Sequence, residues 1–239
     1  SVAWRAPDGH VLIGRNYDFH PFQRMRLRIR LSPDRGFNTL GSCGSLPGSR
    51  YDGVNMHGLF VSLHVVLCDQ PEEIRPSIPA HYIPRILLET CRNVQQALLR
   101  IRAMSHLYSF NYLLADPERL VVVEAHQTRI RVIEPEGDHI AVTNHFRHPD
   151  MAPLLGRRQP KDSQARLERL LRPPGTGSSG DPWSSMQTLM SDHQAPVCGH
   201  SGHNTTLWSM VADLTERRVA YAPGTPCTVP YHDLRWPGT

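Results

Sequence analysis

The chain opens with Ser1-Val2-Ala3-Trp4-Arg5-Ala6-Pro7-Asp8-Gly9-His10-Val11-Leu12-Ile13-Gly14-Arg15-Asn16-Tyr17-Asp18-Phe19, and this stretch decides how the rest is read. Two apolar runs, Val2 to Trp4 and Val11 to Ile13, flank Asp8-Gly9, a strong turn signal between strands. The chain is therefore expected to start on a strand, turn, and come straight back. The return strand delivers Arg15 and Asp18 to the neighbourhood of residue 1. That geometry points to a site built on the α-amino group, where a free amine with an ordinary pKa near 8 acts as base for its own side chain. Alone, the same stretch also reads as an edge hairpin with a surface arginine and aspartate.

Outward from the hairpin, residues 24–31 alternate strictly between arginine and apolar residues. They read as a strand with a solvated basic face, the competing reading being an anion-binding wall. Residues 33–50 are rich in Gly, Ser and Pro and read as a long loop. Gly53-Val54-Asn55-Met56-His57-Gly58 then forms a turn ahead of the run Phe60 to Val66. Asn55 there either caps its own backbone as an Asx turn or reaches over a pocket as an oxyanion donor. Helical periodicity covers Pro79 to Met104, with Pro84 in a first turn and Asn93 capping a second helix.

Four short strands are expected at about 107–115, 119–126, 129–134 and 139–143, the last leaving Asn144 at a strand end. Asp162 or Ser163 caps a helix carrying Arg166, residues 173–180 form a loop, and Asp181-Pro182 starts another helix. A hairpin around Thr215-Glu216-Arg217 joins residues 205–214 to 218–222. No internal repeat is evident. Strands, helices, strands, helices and strands in that order make a single layered α+β domain over residues 1–239, with antiparallel sheets stacked between helices.

Composition narrows the class. With 239 residues, 39% of them apolar, the chain can bury a full core. The net charge of +4 is carried by arginine, Lys161 being the single lysine. No nucleic-acid-binding motif accompanies it, so no nucleic-acid partner is expected. Arginine suits a small-molecule substrate with a carboxylate. Cys43, Cys68, Cys91, Cys198 and Cys227 are scattered, without CxxC, and support one disulfide at most. No apolar run reaches membrane-spanning length, so no membrane association is expected and a cytoplasmic location is. The chain starts with neither Met nor a leader, which fits processing to Ser1 or a missing upstream segment.

Among the histidines, His145-x2-His148 and His200-x2-His203, with His193 and Cys198, are the best metal-ligand candidates. None sits in a recognisable zinc framework, and neither a metal nor another cofactor is expected. Gly41-Ser42-Cys43-Gly44-Ser45 only loosely imitates a nucleophile elbow.

Taken together, Asp8-Gly9 with Gly14 to Phe19, Gly53 to Leu59, Val142-Thr143-Asn144, Ser163-Gln164-Ala165-Arg166 and Thr206-Leu207-Trp208-Ser209 stand in a family order. The chain resembles the N-terminal-nucleophile hydrolases of the choloylglycine hydrolase, penicillin V acylase and isopenicillin-N acyltransferase type. The resemblance covers nearly the whole chain. It implies a four-layer αββα sandwich of two mainly antiparallel sheets, and an amide hydrolase or acyltransferase working through an acyl-enzyme. Mapped onto this chain, it implies Ser1 in the nucleophile's place, Arg15 and Asp18 tuning the terminal group, with Asp18 accepting from the amine. Asn55 and Asn144 would steady the oxyanion, and Arg166 would complete the polar network.

The chain departs from the family at its start, where the family has an N-terminal cysteine. Ser1 is a native serine nucleophile, a replacement for cysteine, or a residue downstream of a cysteine outside the chain. Two readings from other classes stand beside the enzyme: a non-catalytic binding or scaffold protein that keeps the fold, and a metal-assisted hydrolase. Substrate identity, the acceptor of the acyl group and self-association are not legible.

Overall fold

A computed structural model describes residues 1–22, 27–44, 46–68, 76–157, 162–172, 180–201 and 204–239. Arg24 and Arg26 of the alternating run, Lys161, most of the 173–180 loop and His203 lie outside these residues.

The opening hairpin consists of β1 (Val2–Arg5) and β2 (Val11–Phe19), in antiparallel register from Val2↔Gly14 to Arg5↔Val11. Gly9 turns the corner at φ +88°, a conformation that a side chain would strain. A meander of β3 (Leu27–Leu31), β4 (Thr39–Cys43), β5 (Asp52–Asn55) and β6 (Phe60–Val65) follows. A 3-10 turn at Ala80–Tyr82 leads into α1 (Ile83–Thr90) and α2 (Val94–Arg102). Asn93 caps α2 by accepting from the Gln96 N–H. Then come β7 (Phe110–Ala115), β8 (Leu120–His126), β9 (Arg129–Ile133) and β10 (His139–Ala141). The chain ends with α3 (Ser163–Leu170), α4 (Pro182–Met190), β11 (His200–Ser201), β12 (Asn204–Asp213), β13 (Arg218–Ala222) and β14 (His232–Leu234).

Among the described residues the strands form two sheets in which every pairing is antiparallel. One is ordered β10-β1-β2-β12-β13-β14, with β11 on β12; the other runs β3 to β9 in sequence order. The layering follows from period-two alternation in the hairpin. Ala3, Val11 and Ile13 face the main core shared with the second sheet. Val2, Trp4 and Leu12 face the opposite way, against Leu167 and Leu170 of α3 and Met186 and Met190 of α4. The second sheet is covered in turn by α1 and α2, whose Leu87, Leu88, Ala97 and Ile101 are fully buried. Helix, sheet, sheet and helix layers result, the expected αββα sandwich. β1 and β2 read as continuous apolar runs because both their faces are covered.

Two expectations change, and a competing reading of the basic strand drops out. The 33–50 segment contains β4, which pairs with both β3 and β5. Its glycines hid it: Gly41 sits opposite Gly53, and a Cβ on Gly41 would lie 2.2 Å from the Asp52 carbonyl oxygen. Residues 27–31 of the basic run form β3, at the sheet edge. Its Arg28 guanidinium stacks on Tyr221 and its Arg30 donates to the Trp236 carbonyl, so neither forms an anion wall. Asp162 makes no side-chain cap bond to α3.

Candidate active site

The head of β1 opens into a cavity of about 720 Å³, and Ser1, Arg15, Asp18, Asn144 and Arg166 all line it. Tyr17, Phe19, Val65, Phe110, Leu170 and Met190 supply apolar wall around this polar floor. Five of the six residues expected at the site are thus brought together from the chain's first residue, β2, α3 and the segment after β10. Ser1 is held by a two-way ladder with Val142: its amine donates to the Val142 carbonyl at 3.0 Å, and the Val142 N–H donates to its carbonyl at 2.9 Å.

The sixth residue is a correction. Asn55 is fully buried away from the cavity, with its amide engaged on both sides. Its Nδ2 donates to the Leu88 and Cys91 carbonyls at the end of α1, and its Oδ1 accepts from the His57 and Leu59 N–H groups. It is an Asx turn that also ties α1 to β5. Asp18 differs in detail too. Its Oδ1 accepts from the Thr206 hydroxyl at 2.6 Å, and it acts on the Ser1 amine as a nearby charge.

Arg15 points from β2 into the space between the sheets and is only 4% exposed. Its guanidinium reaches Asp52 Oδ2 on β5 at 3.4 Å, the Leu63 carbonyl at 3.1 Å and His64 Nδ1 at 3.2 Å. Trp208 Nε1 donates to the same Asp52 oxygen at 2.8 Å. Tyr17 stacks on Trp208 with ring centroids 4.0 Å apart, and the Arg15 guanidinium lies 5.5 Å from the Tyr17 ring centre.

Ser62 and His64 extend this network, and sequence reasoning missed both. His64 Nε2 lies 3.2 Å from Ser62 Oγ, which lies 3.1 Å from Ser1 Oγ. A guanidinium only donates, so His64 Nδ1 is the acceptor and the ring proton of the neutral imidazole sits on Nε2. Nε2–H then donates to Ser62 Oγ, which shares a hydrogen bond with Ser1 Oγ. The direction is fixed from Arg15 through His64 to Ser62. The available signal was the alternation in β6: Ser62 and His64 share one face, and Asp52 is directly opposite Ser62.

The electrostatics agree. Burial pushes the Ser1 amine well below its ordinary value of 8.0; Arg15 and Arg166 push the same way, and Asp18 opposes them. Burial likewise holds His64 well below 6.5, helped by the terminal amine, Arg15 and Arg166. Burial raises the Asp18 carboxyl above its usual range, against the pull of Thr206, Arg166 and Arg15. The arrangement favours the uncharged forms of both the amine and the imidazole.

On the other wall, Arg166 Nη2 donates to Asn144 Oδ1 at 2.8 Å. The Asn144 backbone N–H donates to Ser163 Oγ, and its Nδ2 to the Val65 carbonyl. The Arg166 contact fixes which end of the Asn144 amide carries the donors. His145 and His148 are used locally: His145 Nδ1 is 2.8 Å from Ser163 Oγ, and His148 Nδ1 accepts from the Asp150 N–H.

Comparison with known proteins fits this geometry. No curated protein matches the chain. Among solved structures, a variant of the conjugated bile acid hydrolase from Clostridium perfringens is similar with a TM-score of 0.67 at 12% identity, over 98% of this chain and 92% of that one. Penicillin V acylase from Agrobacterium tumefaciens gives 0.67 at 13%, over 98% and 86%. A Caenorhabditis elegans ortholog of N-acylethanolamine-hydrolyzing acid amidase gives 0.64 at 15%, over 90% and 92%. At such identities the likeness speaks for the fold. Residues 4–227 match the model of acyl-coenzyme A:6-aminopenicillanic acid acyl-transferase, nearly the whole chain, and the protein therefore belongs to that family of amide hydrolases and acyltransferases of the N-terminal-nucleophile type.

Proposed function

We propose that Ser1 is the nucleophile of this enzyme and that its own α-amine is the general base. The observation that carries this is the hydrogen-bonded chain Arg15–His64–Ser62–Ser1 ending beside a buried amine whose pKa is held well below 8.0. The amine takes the proton of Ser1 Oγ as the oxygen attacks the amide carbonyl carbon. The carbonyl π electrons move to oxygen, and the oxyanion meets the N–H of Asn144 Nδ2 not engaged by Val65. The Arg166 contact on Oδ1 keeps Nδ2 as the donor end of that amide. As the intermediate collapses, the C–N bond breaks and the α-ammonium protonates the leaving amine. An ester on Ser1 remains. Water or an amine acceptor then attacks that ester, with the same α-amine as base, and restores Ser1. An oxyanion donor of this kind contributes about 3–4 kcal/mol of transition-state stabilisation.

The wall of Phe19, Val65, Phe110 and Leu170 favours a substrate with an apolar acyl group. Arg166 at the same cavity would hold a carboxylate on the leaving side, which makes an N-acyl amino acid or similar anionic amide the expected substrate class. No helix among the described residues is long and apolar enough to cross a membrane.

The test is N-terminal sequencing and intact mass of the protein expressed from its full gene, before and after an acylating probe. A mature chain beginning at Ser1, with one adduct on Ser1 that Ser1→Ala abolishes, is the expected result. A mature chain beginning at an upstream cysteine would keep the amide chemistry but transfer the nucleophile's role to that thiol.

A further inference from the structure

Outside the cavity, His193, Cys198, His200 and Cys227 bring their ligand atoms within 4.8 Å of one another. They come from three places: His193 and Cys198 from the segment after α4, His200 from β11, and Cys227 from the β13–β14 connection. Cys198 is buried and the other three are exposed, so a solvated ion has access. Neither the amide chemistry nor the sandwich fold uses this cluster.

We propose that these four side chains bind a zinc ion in a closed tetrahedral Cys2His2 site. The geometry is the argument. A tetrahedron with Zn–S near 2.3 Å and Zn–N near 2.0–2.1 Å has edges of about 3.8 Å between sulfurs, about 3.3 Å between nitrogens and about 3.6 Å for a mixed pair. The Cys198 and Cys227 sulfurs are 3.6 Å apart, and the His193 and His200 Nε2 atoms are 3.2 Å apart. The mixed edges from His200 Nε2 are 3.5 Å to Cys198 and 3.1 Å to Cys227. Three of these four edges fall within about 0.2 Å of the ideal figures, and the fourth is shorter by about half an ångström. A disulfide needs sulfurs at about 2.05 Å, far closer than this pair. Two thiolates with two imidazoles select zinc over the hard cations magnesium and calcium. Binding deprotonates both thiols and releases their two protons to solvent.

With four protein ligands the ion keeps no open position, so its role is to fasten chain to chain. What it fastens is the cavity wall. The segment between α4 and β11 presents Val197 to the cavity, and Asn16 Nδ2 holds both the Met190 and Val197 carbonyls at 2.8 Å. Gly199, next to Cys198, donates to Thr206 Oγ1, whose hydroxyl in turn donates to Asp18. The ion would tie this segment to the loop carrying Cys227 and so steady the floor under Asp18.

The experiment is titration of the reduced, metal-free full chain with Co(II), followed by displacement with Zn(II) and a melting curve for each form. A single equivalent giving the intense visible bands and thiolate charge transfer of tetrahedral Co(II), displaced by zinc, with a higher Tm for the zinc form, is the expected result. Cys227→Ser and His193→Ala should each lose the intense spectrum, while His148→Ala keeps it. Should Cys227→Ser not fold, the exposed His193→Ala carries the comparison. A weak octahedral spectrum in the parent chain, or a Cys198–Cys227 disulfide in the protein as isolated without reductant, would overturn the site.

Discussion

Arg15 Nη1 and His64 Nδ1 lie 3.2 Å apart, and because only the arginine can donate, this one contact sets the tautomer of the imidazole. The hydrogen bond from His64 to Ser62 inherits its direction from that asymmetry. His64→Gln is expected to keep a donor within reach of Ser62 and to lower kcat about tenfold, whereas His64→Ala should lower it about a hundredfold. Equal losses in the two variants, measured with KM unchanged, would show that polarity on β6 does not reach Ser1.

The buried imidazole also makes stability depend on pH. His64 is held well below 6.5 in the folded state and titrates near 6.5 when unfolded. Below about pH 6.5 the unfolded chain therefore binds the extra proton, and stability falls as the pH falls. Melting curves between pH 7 and 5 should steepen this way in the parent protein and flatten in His64→Gln. A variant as acid-sensitive as the parent would place the effect elsewhere.

The Ser1 amine gives a kinetic counterpart. It must be uncharged to accept a proton, so the acid limb of kcat/KM should lie well below 8.0. Asp18 is the group that raises the amine, against Arg15 and Arg166. Asp18→Asn is expected to move that limb to still lower pH while reducing the plateau. A limb displaced upward would contradict the assignment of the base.

Asn55 supplies a contrast. Its four bonds are structural, so Asn55→Ala should cost about 3 kcal/mol of stability by leaving buried carbonyl and N–H groups unmet. The kcat of the folded fraction should stay near that of the parent. Urea denaturation and initial rates on the same preparation distinguish this from a role in the reaction.

Two glycine positions test the packing. Alanine at Gly41 meets the Asp52 carbonyl oxygen at 2.2 Å, which is backbone and cannot move aside. Alanine at Gly14 meets the Met186 sulfur at 2.6 Å and Met190 atoms at 2.8 Å, the far ends of flexible chains. Gly41→Ala should lower stability by about 3 kcal/mol or more, Gly14→Ala by about 1 kcal/mol. The reverse order in thermal melts would mean that β4 and β5 are free to separate.

The hairpin was legible because Asp8-Gly9 between apolar runs has one economical reading, and its register alone carries Arg15 and Asp18 toward Ser1. Helix starts at Asn93 and Asp181 were legible for a local reason, a side-chain acceptor next to free N–H groups. What escaped depended on tertiary approach. β4 looked like loop because the closeness of β5 demands glycine there, and glycine is also what loops contain. Ser62, His64 and Asp52 were hidden because a polar residue in an apolar strand reveals its importance only through what faces it across the sandwich. Asn55 was misplaced because a turn asparagine reads identically whether its amide holds a helix end or a substrate. The His193, Cys198, His200 and Cys227 cluster needed Cys227, twenty-seven residues beyond its nearest companion, to be brought home by the β13–β14 connection.

The ion pair of Arg15 with Asp52 joins a strand of one sheet to a strand of the other, and Trp208 of the first sheet grips the same carboxylate. The bolt that keeps the two layers from sliding is thus also the anchor of the imidazole. Shear between the sheets cannot occur quietly: it must swing Arg15 before it opens the core. Heat inactivation and loss of tertiary structure should consequently run as one transition, with no folded but inactive stage between them.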